Sequence, residues 1–157
     1  MKLKIVSIGK TSDSYLKEGV DVYLKRLKHY IQVDWIEKEA LKKTNKLSVE
    51  EVKRAEKELI LKELKPNDRL VLLDENGKQF TSEKFSIHLE KMVSHHNTDM
   101  LFVIGGAYGF DQELHEKATE EIALSKMTFS HQMARLFLVE QIYRAFTIMR
   151  GEPYHHS

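Results

Sequence analysis

Met100-Leu101-Phe102-Val103-Ile104 is the stretch that most narrows what this chain can fold into. A strand with one wet face alternates apolar and polar residues, whereas this run is apolar throughout. A short, uninterrupted apolar run suits a central parallel strand covered on both faces. It passes directly into Gly105-Gly106-Ala107-Tyr108-Gly109-Phe110. Glycines at such a junction let the backbone approach a ligand closely or take positive φ. The spacing Gly-Gly-x-x-Gly is neither the dinucleotide fingerprint Gly-x-Gly-x-x-Gly nor a P-loop. It therefore fits a plain strand-to-helix turn as well as a ligand cradle.

The rest of the chain supplies what a central strand requires. Residues 3–8 read as a buried strand stopped by Gly9. In residues 14–30, Leu16, Val20, Tyr23, Leu24 and Leu27 fall on one face of a helix. Residues 31–36 alternate as a second strand, and 37–47 form a lysine-rich mobile surface loop. Its Lys38, Lys42, Lys43 and Lys46 suit either a solvated loop or contact with RNA. Ser48-Val49-Glu50-Glu51 has capping-box spacing and opens a helix through Val52, Ala55, Leu59 and Leu64, which Lys65-Pro66 ends. Residues 69–73 give a third strand, followed by a tight turn at Asp74-Glu75-Asn76-Gly77 whose Asn-Gly favours positive φ. Residues 82–95 form a helix with Phe85, Leu89, Met92 and Val93 inward. Asp111 caps a helix running to about Thr119, residues 122–124 form a short fifth strand, and 131–149 form the longest helix. Strands alternating with helices predict a three-layer α/β domain with a mainly parallel sheet, one domain over 1–157.

That last helix is apolar on most of its circumference. Leu138, Ile142, Ala145 and Met149, with Val139 and Phe146, make one stripe, while Met133, Leu136, Phe137, Tyr143 and Ile148 lie largely on the other side. Such a helix is expected to be buried on more than one side. One face suits the sheet and the other a second subunit, so a homodimer is expected.

Lys and Arg number 25 against 24 Asp and Glu, so the whole chain has no strong pull toward nucleic acid, and any RNA contact needs a local basic patch. The 157 residues contain no cysteine, which excludes disulfides, cysteine-ligated zinc and thiol catalysis. No apolar run suits a signal peptide or a bilayer span, so a cytoplasmic protein without membrane contact is expected. The eight histidines form no metal set. His95-His96 reads as solvated, and His131 as the start of the last helix.

Three strand ends converge at one sheet edge in a parallel arrangement: Leu73-Asp74, Ile104-Gly105 and Leu124-Ser125. Loops there would frame an apolar slot lined by backbone groups, suited to a nucleoside cofactor. Beyond residue 124 the chain carries Lys126, Arg135, Arg144 and Arg150 against Glu140 and Glu152. Arg144, set among apolar residues, fits either an i, i+4 pair with Glu140 or a phosphate contact. Tyr154 offers a ring for stacking and His155 a site for proton exchange, on a tail whose default state is frayed.

Several of these segments together closely resemble one family: Phe102-Val103-Ile104-Gly105-Gly106-x-x-Gly109; Leu124-Ser125-Lys126-Met127-Thr128-Phe129-x-His131-Gln132-Met133-x-Arg135; Gln141-Ile142-Tyr143-Arg144-Ala145-Phe146; and Pro153-Tyr154-His155. The chain resembles the RlmH (YbeA-like) family of ribosomal RNA large-subunit methyltransferases, within the SPOUT superfamily, over its whole length. The resemblance implies S-adenosylmethionine-dependent N3 methylation of a pseudouridine in helix 69 of 23S rRNA, on the ribosome. It also implies a homodimer, no metal, and a C-terminal trefoil knot forming the cofactor pocket. Periodicity alone would never suggest the knot, because threaded chains are rare. Cofactor contacts carry over to Leu73, Gly105, Leu124, Ser125, Lys126, Met127, Thr128 and Phe129. The catalytic and substrate group carries over to Arg144, Tyr154 and His155, with tail and cofactor supplied by different subunits. Two departures stand out: Ala107-Tyr108 inside the glycine loop, and His156-Ser157 where an Arg or Lys commonly ends the family's tail. The competing readings are a non-catalytic flavodoxin-like nucleotide-binding module and a ribosome-associated dimeric factor. The first lacks a Ser/Thr-rich phosphate loop after the opening strand.

Overall fold

The computed structural model describes residues 1–42, 44–95 and 97–156. Lys43 of the lysine-rich loop, His96 and Ser157 lie outside the described residues. Five strands form one parallel sheet: β1 (Leu3–Ile8), β2 (Val33–Lys38), β3 (Arg69–Lys78), β4 (Met100–Ile104) and β5 (Glu120–Ile122), in the order β2-β1-β4-β3-β5. As its composition requires, β4 is central. All five of its residues are buried, with β1 on one side and β3 on the other.

The pleat sorts β4 between two apolar layers. Met100, Phe102 and Ile104 join Leu3, Ile5 and Val71 beneath α1 (Ser14–Leu27), α3 (Ser82–Ser94) and α5 (His131–Met149). Leu101 and Val103 join Val6, Leu70 and Leu72 beneath α2 (Val49–Leu61) and α4 (Gln112–Lys117), which contribute Ile60 and Leu114. Helix α5 packs against both α1 and α3. Close approach to α1 depends on Gly19, where a Cβ would come within 2.9 Å of Leu136. Leu136 and Tyr143 are thus covered within the chain, Tyr143 by Tyr23 and Tyr30. Phe137 remains exposed on that helix.

Helix ends follow local chemistry. Ser48 and Glu51 form the full capping box expected of their spacing. Ser130 accepts from the Met133 N–H at 3.1 Å and starts α5, and Asp111 accepts from the Glu113 N–H at 2.9 Å. The buried face of α2 is Val52, Glu56 and Ile60, one residue beyond the apolar positions Ala55 and Leu59 that periodicity favoured.

Helices α1 and α2 each stop three residues before the expected Tyr30 and Leu64, and three strands differ from expectation. Strand β2 lies two residues later than 31–36 and takes up the start of the lysine-rich stretch, which also holds a short 3-10 turn at Thr44–Lys46. Strand β3 does not end at Leu73. Leu73 and Lys78 both stand in register with Ile122, so residues 74–77 bulge out and the strand resumes. The Asp74 carboxylate closes this bulge by accepting from the Asn76 N–H at 2.8 Å. Gly77 is required there by close approach rather than positive φ, since a Cβ would sit 2.7 Å from the Glu121–Ile122 backbone. Strand β5 accordingly spans Glu120–Ile122 rather than 122–124, and Ala123 N–H donates to the Lys78 carbonyl at 3.0 Å. That releases Leu124 to turn toward the sheet edge.

Candidate active site

The carboxyl ends of β3, β4 and β5 open into a cleft of about 510 Å³. The bulge supplies Leu73, Asp74, Glu75 and Asn76, and the glycine loop supplies residues 104–110. Ile122, Leu124, Ser125, Met127, Thr128 and Phe129 form its third wall, and His131 and Ala134 close it from the start of α5. Of the cofactor contacts implied by the sequence, all but Lys126 line this cleft. Lys126 turns outward to a shallow depression beside Glu75, Asn76, Gly77 and Gln79.

Each wall has an identifiable cause. A Cβ at Gly105 would come within 2.9 Å of the Phe110 ring, and one at Gly106 would collide with the Glu56 carboxyl group. Gly109 takes a φ of 79°, the left-handed region where glycine is at ease. Tyr108 projects outward at 52% exposed, so it does not fill the cradle. The loop 124–129 is shaped by its own hydroxyls. Ser125 Oγ accepts from the Met127 N–H at 3.0 Å, and Thr128 donates to Glu75 at 3.0 Å, tying the loop to the β3 bulge. Phe129 packs on Phe137 with ring centroids 4.9 Å apart.

Arg135 pins this arrangement to the sheet. Its guanidinium, 1% exposed, donates to the carbonyls of Ile8 at 2.8 Å and Gly9 at 2.9 Å, to Thr11 Oγ1 at 3.0 Å and to Glu37 at 3.3 Å. A buried charge is tolerable only with such partners. The contacts fix the first turn of α5, and with it His131, beside the end of β1.

Arg144, Tyr154 and His155 come together elsewhere. Glu140 Oε1 accepts from Arg144 Nε at 3.0 Å, from Arg144 Nη2 at 2.5 Å and from the Tyr154 hydroxyl at 3.0 Å. Tyr154 spends its only proton on Glu140, so Tyr23 donates to the Tyr154 oxygen across 3.1 Å. Burial, with the hydrogen bonds to Tyr23 and Glu140, raises the Tyr154 pKa far above the ordinary phenol. The Arg144 guanidinium lies 4.8 Å over the Tyr154 ring and also reaches His155 Nδ1 at 3.0 Å. His155 Nε2 meets Glu83 at 2.9 Å. The tail expected to fray is therefore docked onto α3 and α5, with Tyr30 donating to Glu152 at 2.5 Å.

Within one chain the two groups do not meet. Arg144 lies thirteen residues beyond His131 on α5, about 20 Å along the axis at a rise of about 1.5 Å per residue. One end of the helix borders the cleft; the other carries the basic and aromatic cluster.

A family model described as "Predicted SPOUT methyltransferase" matches residues 1–155. The chain belongs to the SPOUT methyltransferases. It is similar to the ribosomal RNA large subunit methyltransferase H of Cytophaga hutchinsonii, 49% identical over 156 residues, 99% of this chain and 100% of that one. It is similarly close to the ribosomal RNA large subunit methyltransferase H of Parabacteroides distasonis, 50% identical over 157 residues and the full length of both. At that identity over full length, the chain belongs with the large-subunit methyltransferases H. Among solved structures it is similar to a probable methylase family protein from Haemophilus influenzae, with a TM-score of 0.53 at 10% identity, covering 99% of this chain and 70% of that chain. That likeness is one of fold.

In this SPOUT methyltransferase three acidic groups that residue patterns did not single out touch candidate site residues or the glycine loop beside them. Glu56 lies under the glycine loop, and its only sequence signal is its i, i+4 spacing between Val52 and Ile60. Glu75 holds Thr128 and Glu83 holds His155, and neither has a local signal because both contacts are long-range. Among the described residues, no group of three His, Asp or Glu side chains is placed to hold a metal ion, and no helix is long and apolar enough to cross a membrane.

Proposed function

We propose that this protein uses S-adenosylmethionine to methylate N3 of a pseudouridine in helix 69 of 23S rRNA, working as a cytoplasmic homodimer on the ribosome. Family membership supports methylation of large-subunit rRNA. The observation that supports a homodimer with shared sites is the separation of cleft and tail cluster along α5. A cofactor in the cleft lies too far along α5 from its own chain's Arg144, and a second subunit would bring its own tail to it.

The cleft fits the cofactor. Ile104, Phe110, Ile122 and Leu124 give it an apolar lining for an adenine, and glycine at 105 and 106 lets the Phe110 ring and the Glu56 carboxyl pack against the loop backbone. Leu73, Gly105, Leu124, Ser125, Met127, Thr128 and Phe129 would hold it, with Lys126 at the outer rim. The family's trefoil knot, which would bring these segments around the ligand, belongs to the same proposal. S-adenosylmethionine supplies a methyl group already activated on a sulfonium.

What remains for the chain is alignment and one proton. Holding N3 in line with the methyl carbon accounts for much of the rate. Arg144 neutralises phosphate, the Tyr154 ring stacks on a base, and His155 takes the imide proton. In the docked tail Arg144 can only donate, so His155 Nδ1 accepts from it and Nε2 donates to Glu83. His155 becomes a base only when RNA draws Arg144 away.

Transfer of tritiated methyl groups to ribosomes with and without the target pseudouridine tests the proposal. Labelling that requires the pseudouridine is expected. Equal labelling of both ribosomes would overturn the substrate assignment, and no labelling of either would overturn the activity.

A further inference from the structure

Three arginine–tyrosine pairs surround the ring of Tyr143. Arg26, in the last turn of α1, lies 5.4 Å from the Tyr23 ring centroid and 5.5 Å from that of Tyr143. Arg144 lies 4.8 Å over Tyr154, and Arg150 lies 4.6 Å over Tyr30. Tyr23, Tyr30 and Tyr154 in turn pack on Tyr143, with centroids 5.7, 6.0 and 4.7 Å from its own. Segments from the two ends of the chain thus build one patch, which no local sequence pattern announces.

The arginines of this patch are not equivalent. Arg144 is committed to Glu140 and His155, whereas Arg26 and Arg150 are exposed and form no ion pair among the described residues. The carboxylates at hand are already engaged: Glu140 by Arg144 and Tyr154, Glu152 by the Tyr30 hydroxyl, and Glu83 by His155. Lys25 and Lys28 add exposed positive charge on either side of Arg26. A guanidinium over an aromatic face keeps N–H donors for a further partner, and the contact limits the freedom of its long side chain. Paired donors of that kind match a phosphate. An apolar subunit face laid over this patch would bury two unpaired cations at high cost, whereas a nucleic-acid backbone supplies the anions.

We propose that Arg26 and Arg150 are phosphate-contacting residues that extend the RNA surface from the tail cluster across to the end of α1. This deepens the reading of the protein as a methyltransferase of large-subunit rRNA and rests on it. The chain carries 25 Lys and Arg against 24 Asp and Glu, so its hold on RNA must come from a local group of cations. The C-terminal segment alone does not supply that group, because Arg135 is buried against the end of β1 and Arg144 is held by Glu140. Arg26 makes up the deficit from α1. Backbone contacts by Arg26 and Arg150 on two sides of Tyr143 set the register of the RNA, which leaves Arg144, Tyr154 and His155 to meet the target nucleotide.

Binding of the full chain to ribosomes that carry the target pseudouridine, measured over a series of potassium chloride concentrations, decides this. Arg26→Gln and Arg150→Gln are each expected to make the slope of log affinity against log salt shallower by about 1, and the double variant by about 2. In methyl transfer, the KM for ribosomes should rise by a larger factor than the saturated rate falls. Arg54→Gln removes the same charge from the exposed side of α2, on the other face of the sheet, and its slope should match the wild type. Unchanged slopes in both patch variants, or an equal change in Arg54→Gln, overturns the assignment. A changed oligomeric state in either patch variant would make the patch a subunit contact and overturn it too. Wild-type protein that fails to methylate these ribosomes would overturn the rRNA reading itself, and this assignment with it.

Discussion

Arg144 donates from Nη1 to Nδ1 of His155 across 3.0 Å, and this contact sets the tautomer of the tail histidine. A guanidinium has no lone pair to offer, so Nδ1 must accept and the ring proton sits on Nε2, facing Glu83. The same arginine is held by Glu140, which also holds Tyr154. The three residues form one hydrogen-bonded unit whose members are unequal. Arg144 organises, and His155 waits on it.

Removing the base is therefore expected to slow chemistry without loosening the cofactor. His155→Ala should lower the single-turnover rate of methyl transfer by about 100-fold and leave S-adenosylmethionine affinity nearly unchanged, because His155 is assigned to the imide proton of the RNA and not to holding the cofactor. A variant that retains most of the single-turnover rate would remove His155 from the mechanism.

If cleft and tail from different subunits build each site, two dead proteins should rescue one another. Gly105→Val would drive a side chain into Phe110 and close the cleft, while Arg144→Ala disables the tail cluster. Each homodimer is expected to be inactive. After subunit exchange, half the dimers are mixed and each contains one site with both halves intact, so about a quarter of wild-type activity should return. Mixtures that stay silent after demonstrated exchange would show that the site is built within one chain.

Much of this architecture was legible in the chain, and the failures have physical reasons. The apolar run Met100–Ile104 dictated the centre of the sheet, and the Ser48–Glu51 capping box gave the start of α2, because both are local in sequence. The β3 bulge was missed because Asp74-Glu75-Asn76-Gly77 has turn chemistry, and nothing local shows that Lys78 returns to pair beside Ile122. The site divided in the same way. The glycine loop and residues 124–129 announced themselves, whereas Glu56 looked like one more helix-surface glutamate. Its burial depends on Gly106, fifty residues later.

The bulge yields a stability test. At Gly77 a Cβ would strike the β5 backbone, which has no flexible end to move aside. Gly77→Ala is expected to destabilise the protein by about 1–3 kcal/mol, seen as a lower denaturation midpoint with an unchanged m-value. Full stability in the variant would mean that the edge strand moves away without cost.

Tyr30 makes the docked tail visible to a pH titration. Its hydroxyl donates to Glu152 at 2.5 Å, and that hydrogen bond, with burial and the nearby carboxylate charge, raises its pKa from 10.0 to about 12. The folded state thus favours the neutral phenol. The corresponding stabilisation is complete below the unfolded pKa of 10.0 and is lost as pH rises through about 12. Ultraviolet titration of phenolate absorbance should show Tyr30 ionising late in the wild type. In Glu152→Gln, where a neutral amide replaces the carboxylate, its midpoint should move back toward the ordinary value, with looser docking of the tail at high pH. A wild-type Tyr30 that titrates like a free phenol would show that residues 150–156 are not held against α1 and α5 in solution.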